Sequence, residues 1–523
     1  ILEGDRDRAT EELEAMRRLH PDAVGRLAGT ETNLVESLDA LFASSLNWAP
    51  IPTDNSWTTF AGNPEREKVI RSPNSKLAGP LWRVDISRPD TPQAPQPAPA
   101  DPAFSPAVDC HPVFWRNTVI VNTLDTIRVY AAATGLPAWT PNDSAIVYRE
   151  PASQNIPPLR ATLTVHNNRL LARMISGPGS FRGNSSPDTI TGATPSNAAD
   201  RSAFRSAGPI VCMDLSAQGR LLWRLEPDDP AEIFGGTPIC LGESCFVVLH
   251  RLDIALRTSI ACYDLNTGQL RWKRFVCSSR PTASSEIIAL TEAASEELLT
   301  VDGGSLYFTT NQGVVVSLDA DTGSIRWISS YPRSSETEIR SPVPPVCHAG
   351  QIYSAPTDSR RIFAFNGTDG RIVWATEPAF AQTSDLIGLT GRYLIAADDN
   401  LTWIDTRNSP GTIAFRWPGN DSLQSSRTGR GLMMQIASQS PNMVYWPKRS
   451  SLWLFDLQSG RPLDRYDLAP IGIETGNLAG DGRLLVIAGA DTLTAFRLVA
   501  APATASSDTA SSATAAAQPS TAN

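Results

Sequence analysis

Residues 259–265 alternate, with Ala261, Tyr263 and Leu265 on one face and more polar side chains on the other. That period of two predicts a half-buried strand. Asn266, Thr267 and Gly268 then make a tight turn. Gly268 supplies the φ > 0 position, and the Asp264 carboxylate can accept hydrogen bonds from exposed turn amides. The chain returns over 269–275 with Leu270 and Trp272 on one face. The predicted element is a β-hairpin whose last strand carries a large aromatic ring.

The same arrangement recurs at 318–327, 365–374, 130–139 and 213–223, and in every copy the Trp stands four residues after the turn glycine. Repetition at this period is the mark of a repeat architecture. Seven units can be traced, at 112–140, 158–227, 236–276, 298–331, 343–377, 385–417 and 431–468. The second is long because a polar loop, 176–208, interrupts it. Units six and seven depart from the pattern: Trp417 follows Gly411 by six residues, and Tyr466 stands where Trp is expected. The last unit, 476–499, offers only three strands, and an isolated strand at 80–86 with Trp82 supplies the fourth. The fold expected is all-β, an eight-bladed β-propeller of four-stranded blades closed by an N-terminal strand and preceded by a short α-helical hairpin.

Residues 1–46 form the helical hairpin, with Ala9, Leu13, Met16 and Leu19 on one helix and Leu34, Val35, Leu38, Leu41 and Phe42 on the other. It is either the end of a helical-repeat module or a cap on the propeller. Residues 47–78 read as an irregular connector. The propeller covers 79–499: the closing strand 79–87, a Pro/Ala linker 88–108, and blades over 109–499. Residues 500–523 are an Ala/Ser/Thr tail too poor in apolar side chains to fold. Because only the closing strand joins the ring on this reading, removing 1–75 is expected to leave the propeller nearly intact, and removing 1–87 to open it. The chain starts on Ile1 rather than Met, so a signal peptide, lipid anchor or helical domain upstream is compatible with the sequence.

Composition narrows the function classes. The net charge is −9, from 54 acidic and 45 basic residues, and no basic tract is present. That balance argues against nucleic acid and anionic membrane surfaces as partners. No apolar run approaches the ~18–20 residues of a membrane span. The seven cysteines, at 110, 212, 240, 245, 262, 277 and 347, form no C-x-x-C pair and no adjacent pair. Small buried strand residues is the main reading. Cys240 and Cys245 flank a four-residue turn, so a disulfide across that hairpin is feasible.

The pattern A-x-D-x-x-T-G-x-x-x-W, strongest at 262–272 and 318–327, resembles the tryptophan-docking repeat of PQQ-type eight-bladed propellers over about 79–499. One branch of that family comprises quinoprotein dehydrogenases, which hold pyrroloquinoline quinone (PQQ) and Ca²⁺ over the central channel. The other is the BamB-like, non-enzymatic branch associated with outer-membrane β-barrel assembly. The helical leader and the W-T-T-F-A-G-N-P-E-R segment also make the chain similar to PQQ-repeat proteins of planctomycete-type bacteria. The resemblance implies that Trp82, Trp139, Trp223, Trp272, Trp327 and Trp374 are structural, each docking between neighbouring blades.

The dehydrogenase branch implies an adjacent Cys-Cys pair and a calcium cluster near a catalytic Asp. Neither is matched here, and Asp214, Asp264, Asp319 and Asp456 recur at the turn position, where capping accounts for them. No catalytic, cofactor-binding or metal residue is therefore assigned, and PQQ with calcium is not expected. Residues 242–246 begin like a nucleophile elbow but lack its second glycine. Residues 177–183 are glycine-rich without nucleotide-binding spacing.

Recognition is expected on loops. The candidate contact regions are the 176–208 loop with Arg182, Arg201 and Arg205, the insert 277–297, and the helical hairpin. The expected function is a non-enzymatic, BamB-like scaffold or adaptor in a cell-envelope complex. Its partners would be membrane-associated envelope proteins and its location extracytoplasmic, in periplasm or envelope. The rival readings are a propeller binding PQQ or a sugar-like ligand, and a structural component of a surface assembly.

Overall fold

The hairpin at 262–272 is the outer half of one blade among eight in a computed structural model of the chain. The structure describes residues 6–27, 30–44, 55–74, 76–87, 109–139, 144–150, 160–175, 208–229, 231–252, 255–279, 296–334, 341–417, 429–436, 439–448 and 450–500. Blade 4 shows the plan, with antiparallel strands Thr300–Asp302, Ser305–Thr309, Val314–Asp319 and Ile325–Ser330. The two middle strands are buried along nearly their whole length. The outer strand alternates, burying Trp327 while Ile325 and Ile328 face solvent. The other blades occupy 113–149, 164–225, 232–279, 346–375, 385–417, 432–467 and 477–499.

The first strands of successive blades adjoin all the way round, and Asn477–Gly480 lies beside Val113–Trp115 to complete the circle. Blade 8 is finished by Lys76–Asp85, antiparallel to Thr492–Val499, with Trp82 opposite Ala495. The ring is thereby closed by a strand from the N-terminal side, as expected. Apolar clusters sit at the seams: blades 1 and 2 share one, as do 2 and 3, 3 and 4, and so on round. The largest joins blades 7, 8 and 1 with Trp57, Ile70 and Trp82. Blade-to-blade packing is thus the core, which is why each unit needs its neighbours.

Three features differ from the sequence reading. The outer strand of blade 1 is Ile146–Arg149, later than the segment holding Trp139. Pro137 makes only an isolated bridge with Tyr130, and a residue without an N–H cannot extend the ladder. The N-terminal pair, α1 (Arg6–Leu19) and α2 (Leu34–Ser44), is joined by a small β-hairpin, Val24–Leu27 with Thr30–Asn33, beyond the two helices read from the sequence. The Arg17 guanidinium pairs with the Asp39 carboxylate across the two helices. Finally, 55–72 is not an irregular connector outside the ring. Val69–Ser72 adds a fifth, parallel strand to blade 7 along Met433–Ile436.

Candidate functional site

A propeller's first strands turn one edge toward the axis, and those backbone groups need partners. Residues 57–72 provide them in blade order. The Trp57 carbonyl accepts from Phe114 N–H at 2.8 Å in blade 1, and Thr58 from Val165 N–H at 2.7 Å in blade 2. Pro64 accepts from Val301 N–H at 3.1 Å in blade 4, and Glu65 from Cys347 N–H at 3.0 Å in blade 5. Glu67 Oε1 meets His348 Nδ1 at 2.9 Å. Val69–Ser72 then pairs with blade 7, and the Ser72 hydroxyl donates to Gly482 O of blade 8 at 2.7 Å. From within the closing strand of blade 8, Trp82 Nε1 donates to Ala132 O of blade 1 at 2.7 Å. One stretch of chain makes a full turn inside the ring.

The turn is tight enough to need unusual backbone. Gly62 has φ +88, and a Cβ built there would lie 2.7 Å from the Trp57 ring. Ala61 and Arg66 also take positive φ, +64 and +71, which side-chain-bearing residues adopt only when surroundings compel it. At the centre lies Phe60, its ring flanked by the guanidinium carbons of Arg430 at 4.8 Å, Arg160 at 4.9 Å and Arg66 at 5.8 Å. His111 meets it edge-on at 4.8 Å. Cation–π contact accounts for part of this cage, and hydrogen bonds for the rest. Arg66 donates to Leu299 O at 2.7 and 3.2 Å, to Phe60 O at 2.8 Å and to Thr59 Oγ1 at 3.1 Å. Arg430 pairs with the Asp385 carboxylate.

Burial dominates the electrostatics. It pushes the Arg66 guanidinium down to about 9, with Arg430 adding to the effect. It lowers Arg430 against the opposing pull of Asp385, raises Asp385 and lowers His111. The channel is therefore filled by packed and hydrogen-bonded protein groups. The adjacent Cys-Cys pair of the quinone branch is absent from the sequence, and Phe60 with its three arginines takes the axial space. Among the described residues, no group of three or more His, Cys, Asp or Glu could hold a metal ion.

One arrangement at the seam of blades 3 and 4 looks chemical. His250 Nδ1 meets Thr258 Oγ1 at 3.2 Å, while His250 Nε2 lies 2.8 Å from Glu297 Oε2. Hydroxyl, imidazole and carboxylate stand in a row. All three are buried, Thr258 completely, and Gln312 Nε2 donates to the same hydroxyl at 2.9 Å. With no solvent approach the row ties a seam together.

The six docking tryptophans occupy one recurrent place: each lies against the turn glycine of the next blade. A Cβ built on that glycine would come within 2.7 Å of Trp82 at Gly135 and 3.3 Å of Trp139 at Gly219. The corresponding distances are 2.9 Å for Trp223 at Gly268, 2.6 Å for Trp272 at Gly323, 2.5 Å for Trp327 at Gly370 and 3.2 Å for Trp374 at Gly411. The indoles of Trp223 and Trp327 also donate to Leu265 O at 3.0 Å and Gly367 O at 2.9 Å. Against Gly460 the docking ring is Phe415, at 3.0 Å, not Trp417. The signal for it was present, since Phe415 follows Gly411 by four residues. Tyr466 turns its hydroxyl to Leu77 N–H of the closing strand at 3.3 Å.

The turn acids cap amides. Asp264 Oδ1 accepts from Asn266 and Thr267 N–H at 3.0 and 2.8 Å, and Asp319 from Thr322 N–H at 2.9 Å. Asp214 and Asp456 do the same for Ser216 at 2.9 Å and Ser459 at 2.6 Å. Arg182, Arg201 and Arg205 lie outside the described residues, as do most of the 277–297 insert, the 88–108 linker and the tail. Sequence reasoning missed the axial segment itself. Its one signal was the pair of large aromatics, Trp57 and Phe60, in a stretch without strand periodicity.

Comparison with known proteins agrees with this architecture. The family model for outer membrane protein assembly factor BamB matches residues 206–466. A relative of that name from Bordetella pertussis is 26% identical over 257 residues, covering 45% of this chain and 59% of its own length. The chain thus spans little more than half of that relative. Among solved structures, quinohemoprotein alcohol dehydrogenase from Comamonas testosteroni is 12% identical with a TM-score of 0.53, over 86% of this chain and 81% of that one. BamB from Moraxella catarrhalis is 13% identical with a TM-score of 0.45, over 81% and 98%. The dehydrogenase likeness is one of fold. The repeat, the family-model match and the closed eight-bladed ring together support a PQQ-repeat, BamB-like propeller.

Proposed function

We propose that the protein is a non-enzymatic scaffold or adaptor, working through protein partners in an extracytoplasmic, envelope-associated complex. The observation that carries this reading is the axial segment: residues 57–72 bond to successive blades, and Phe60 packs there among Arg66, Arg160 and Arg430, whereas the resemblance implies a quinone held over the central channel in the dehydrogenase branch. The BamB family match and the relative named as an outer membrane assembly factor support the same direction. No helix among the described residues is long and apolar enough to cross a membrane.

Two measurements test the reading. PQQ and Ca²⁺ are added to the purified chain, and quinone absorbance and dye-linked turnover are followed. Neither is expected, and clear turnover overturns the proposal in favour of the quinoprotein alternative. Crosslinking in native membranes followed by pull-down is expected to recover envelope proteins at defined stoichiometry. A large homogeneous assembly of this chain alone, seen by native mass measurement, would favour the surface-structure alternative instead.

A further inference from the structure

We propose that Cys240 and Cys245 form a structural cystine across the first hairpin of blade 3, made while the chain folds. Its formation in the cell rests on the extracytoplasmic reading above; the pairing itself rests on geometry. Ile239–Leu241 runs antiparallel to the start of Ser244–Leu252, with Leu241 opposite Ser244 and Cys240 directly opposite Cys245. Gly242 has φ +58 while Glu243 is outside the positive-φ region, the signature of a two-residue type II′ turn. In such a hairpin the pair flanking the turn exchanges backbone hydrogen bonds. The next pair, Cys240 and Cys245, takes the non-hydrogen-bonded position, where Cα atoms approach to ~4.5 Å and side chains are closest. That spacing lies inside the ~4.4–6.8 Å that disulfides span.

Residues directly opposite share a face, and both thiols point into the cluster with Cys212, Phe234 and Tyr263 at the seam of blades 2 and 3. Cys262 packs on the other face with Phe246 and Val248. Cys212 is the competitor, but it belongs to blade 2, and its Sγ is directed to Leu265 O at 3.7 Å. Cys240 and Cys245 are free thiols in the structure, 3% and 1% exposed. Burial raises both thiols far above their usual range, so neither supplies a thiolate once blade 3 has docked. The bond must therefore form earlier, when the six-residue hairpin is made but the seam is open.

The oxidant is a disulfide-bearing partner, glutathione disulfide or an oxidoreductase of an oxidising compartment. One deprotonated cysteine attacks an oxidant sulfur, forming a mixed disulfide and releasing the first oxidant thiolate. The second cysteine, as thiolate, attacks the chain-side sulfur and releases the second. The two protons lost by the cysteines end on the two oxidant thiols, and two electrons pass to the oxidant.

The test uses the full chain, unfolded with reductant and refolded in oxidised and reduced glutathione. It is then alkylated under denaturing conditions and cleaved after Glu243. The expected result is five alkylated cysteines out of seven, with fragments ending at Glu243 and beginning at Ser244 held together until reduction. Cys240→Ser and Cys245→Ser should each show all six remaining thiols. Seven alkylated cysteines in the refolded chain, or a bond to Cys212, overturns the proposal. A second arm blocks thiols at lysis in the native cell, where five are again expected. Seven there, beside five after refolding, would leave the pairing standing and remove the extracytoplasmic reading.

Discussion

Arg66 reaches the carbonyl of Leu299, 233 residues further along the chain, with two N–H groups at 2.7 and 3.2 Å. The same guanidinium holds Phe60 O, so it fastens the axial turn to blade 4. Arg66→Met keeps much of the volume but leaves buried carbonyls without donors. Each such group costs ~1–3 kcal/mol, so a loss of about 3 kcal/mol is expected. Arg66→Lys should recover only part of it, because one ammonium cannot reproduce the forked geometry. Denaturant midpoints of the three chains check this; equal midpoints would remove Arg66 from the axial clamp.

Removal of the N-terminal region separates the two accounts of ring closure. With 79–87 as the only joining strand, deleting 1–75 was expected to be nearly harmless. The structure changes that expectation, since residues 57–72 bond to blades 1, 2, 4, 5, 7 and 8. Deleting 1–54 should leave the propeller's thermal transition unmoved. Deleting 1–75 should lower it strongly, and deleting 1–87 should lower it further. A 1–75 deletion as stable as the full propeller would mean that the axial segment is dispensable.

The seams can be tested one glycine at a time. Gly323 has φ +66 and a Cβ there would sit 2.6 Å from Trp272, whereas Gly303 has φ +50 with nothing within 4 Å. Both Ala substitutions carry backbone strain of about 1 kcal/mol. Only Gly323→Ala also forces the indole away, adding ~1–3 kcal/mol of overpacking. Thermal unfolding should therefore rank Gly323→Ala well below Gly303→Ala.

Phe415 and Trp417 offer a contrast at the seam of blades 6 and 7. Phe415 docks against Gly460, while Trp417 packs on Trp453 and Phe455 with centroids at 4.5 and 5.0 Å. Phe415→Trp restores the residue type used elsewhere at this position and should be tolerated or stabilising. Phe415→Ala should cost less than the ~3–5 kcal/mol of a fully buried ring, because Phe415 is 37% exposed. Chemical denaturation of both variants distinguishes a docking residue from a decorative one.

The turn carboxylates make a pH prediction. The Arg271 side chain, with Thr267 and Asn266 amides, holds Asp264 down to about 2, and the Thr322 amide with Arg326 does the same for Asp319. A carboxyl whose folded value lies below its unfolded value of about 3.8 adds stability above that pH. The contribution is lost as pH falls toward 2. Both groups are at the surface, so the effect is small. The melting-temperature difference between wild type and Asp264→Asn should be constant above pH 5 and shrink toward pH 2; a difference that grows on acidification would contradict it.

Much of the fold was legible because it is local. A glycine four residues before a tryptophan reports a turn and a docking ring wherever it occurs, as at Gly268 with Trp272 and Gly323 with Trp327. Repetition then supplies the blades. The closing strand could be inferred by counting, since a last unit with three strands needs a fourth. Departures were legible only in part: Pro137 delays the outer strand of blade 1, and Phe415 takes the place expected of Trp417.

The axial segment was of another kind. Trp57, Phe60 and Arg66 show no period of two and no turn signature of their own. The segment's conformation exists only through backbone groups presented by six blades whose residues lie up to hundreds of positions away. Local propensity and spacing by themselves determined the repeat, the blade number and the closure. Only the tertiary structure decided what fills the channel, because edge groups of first strands become an axial binding surface only once the ring has brought them together.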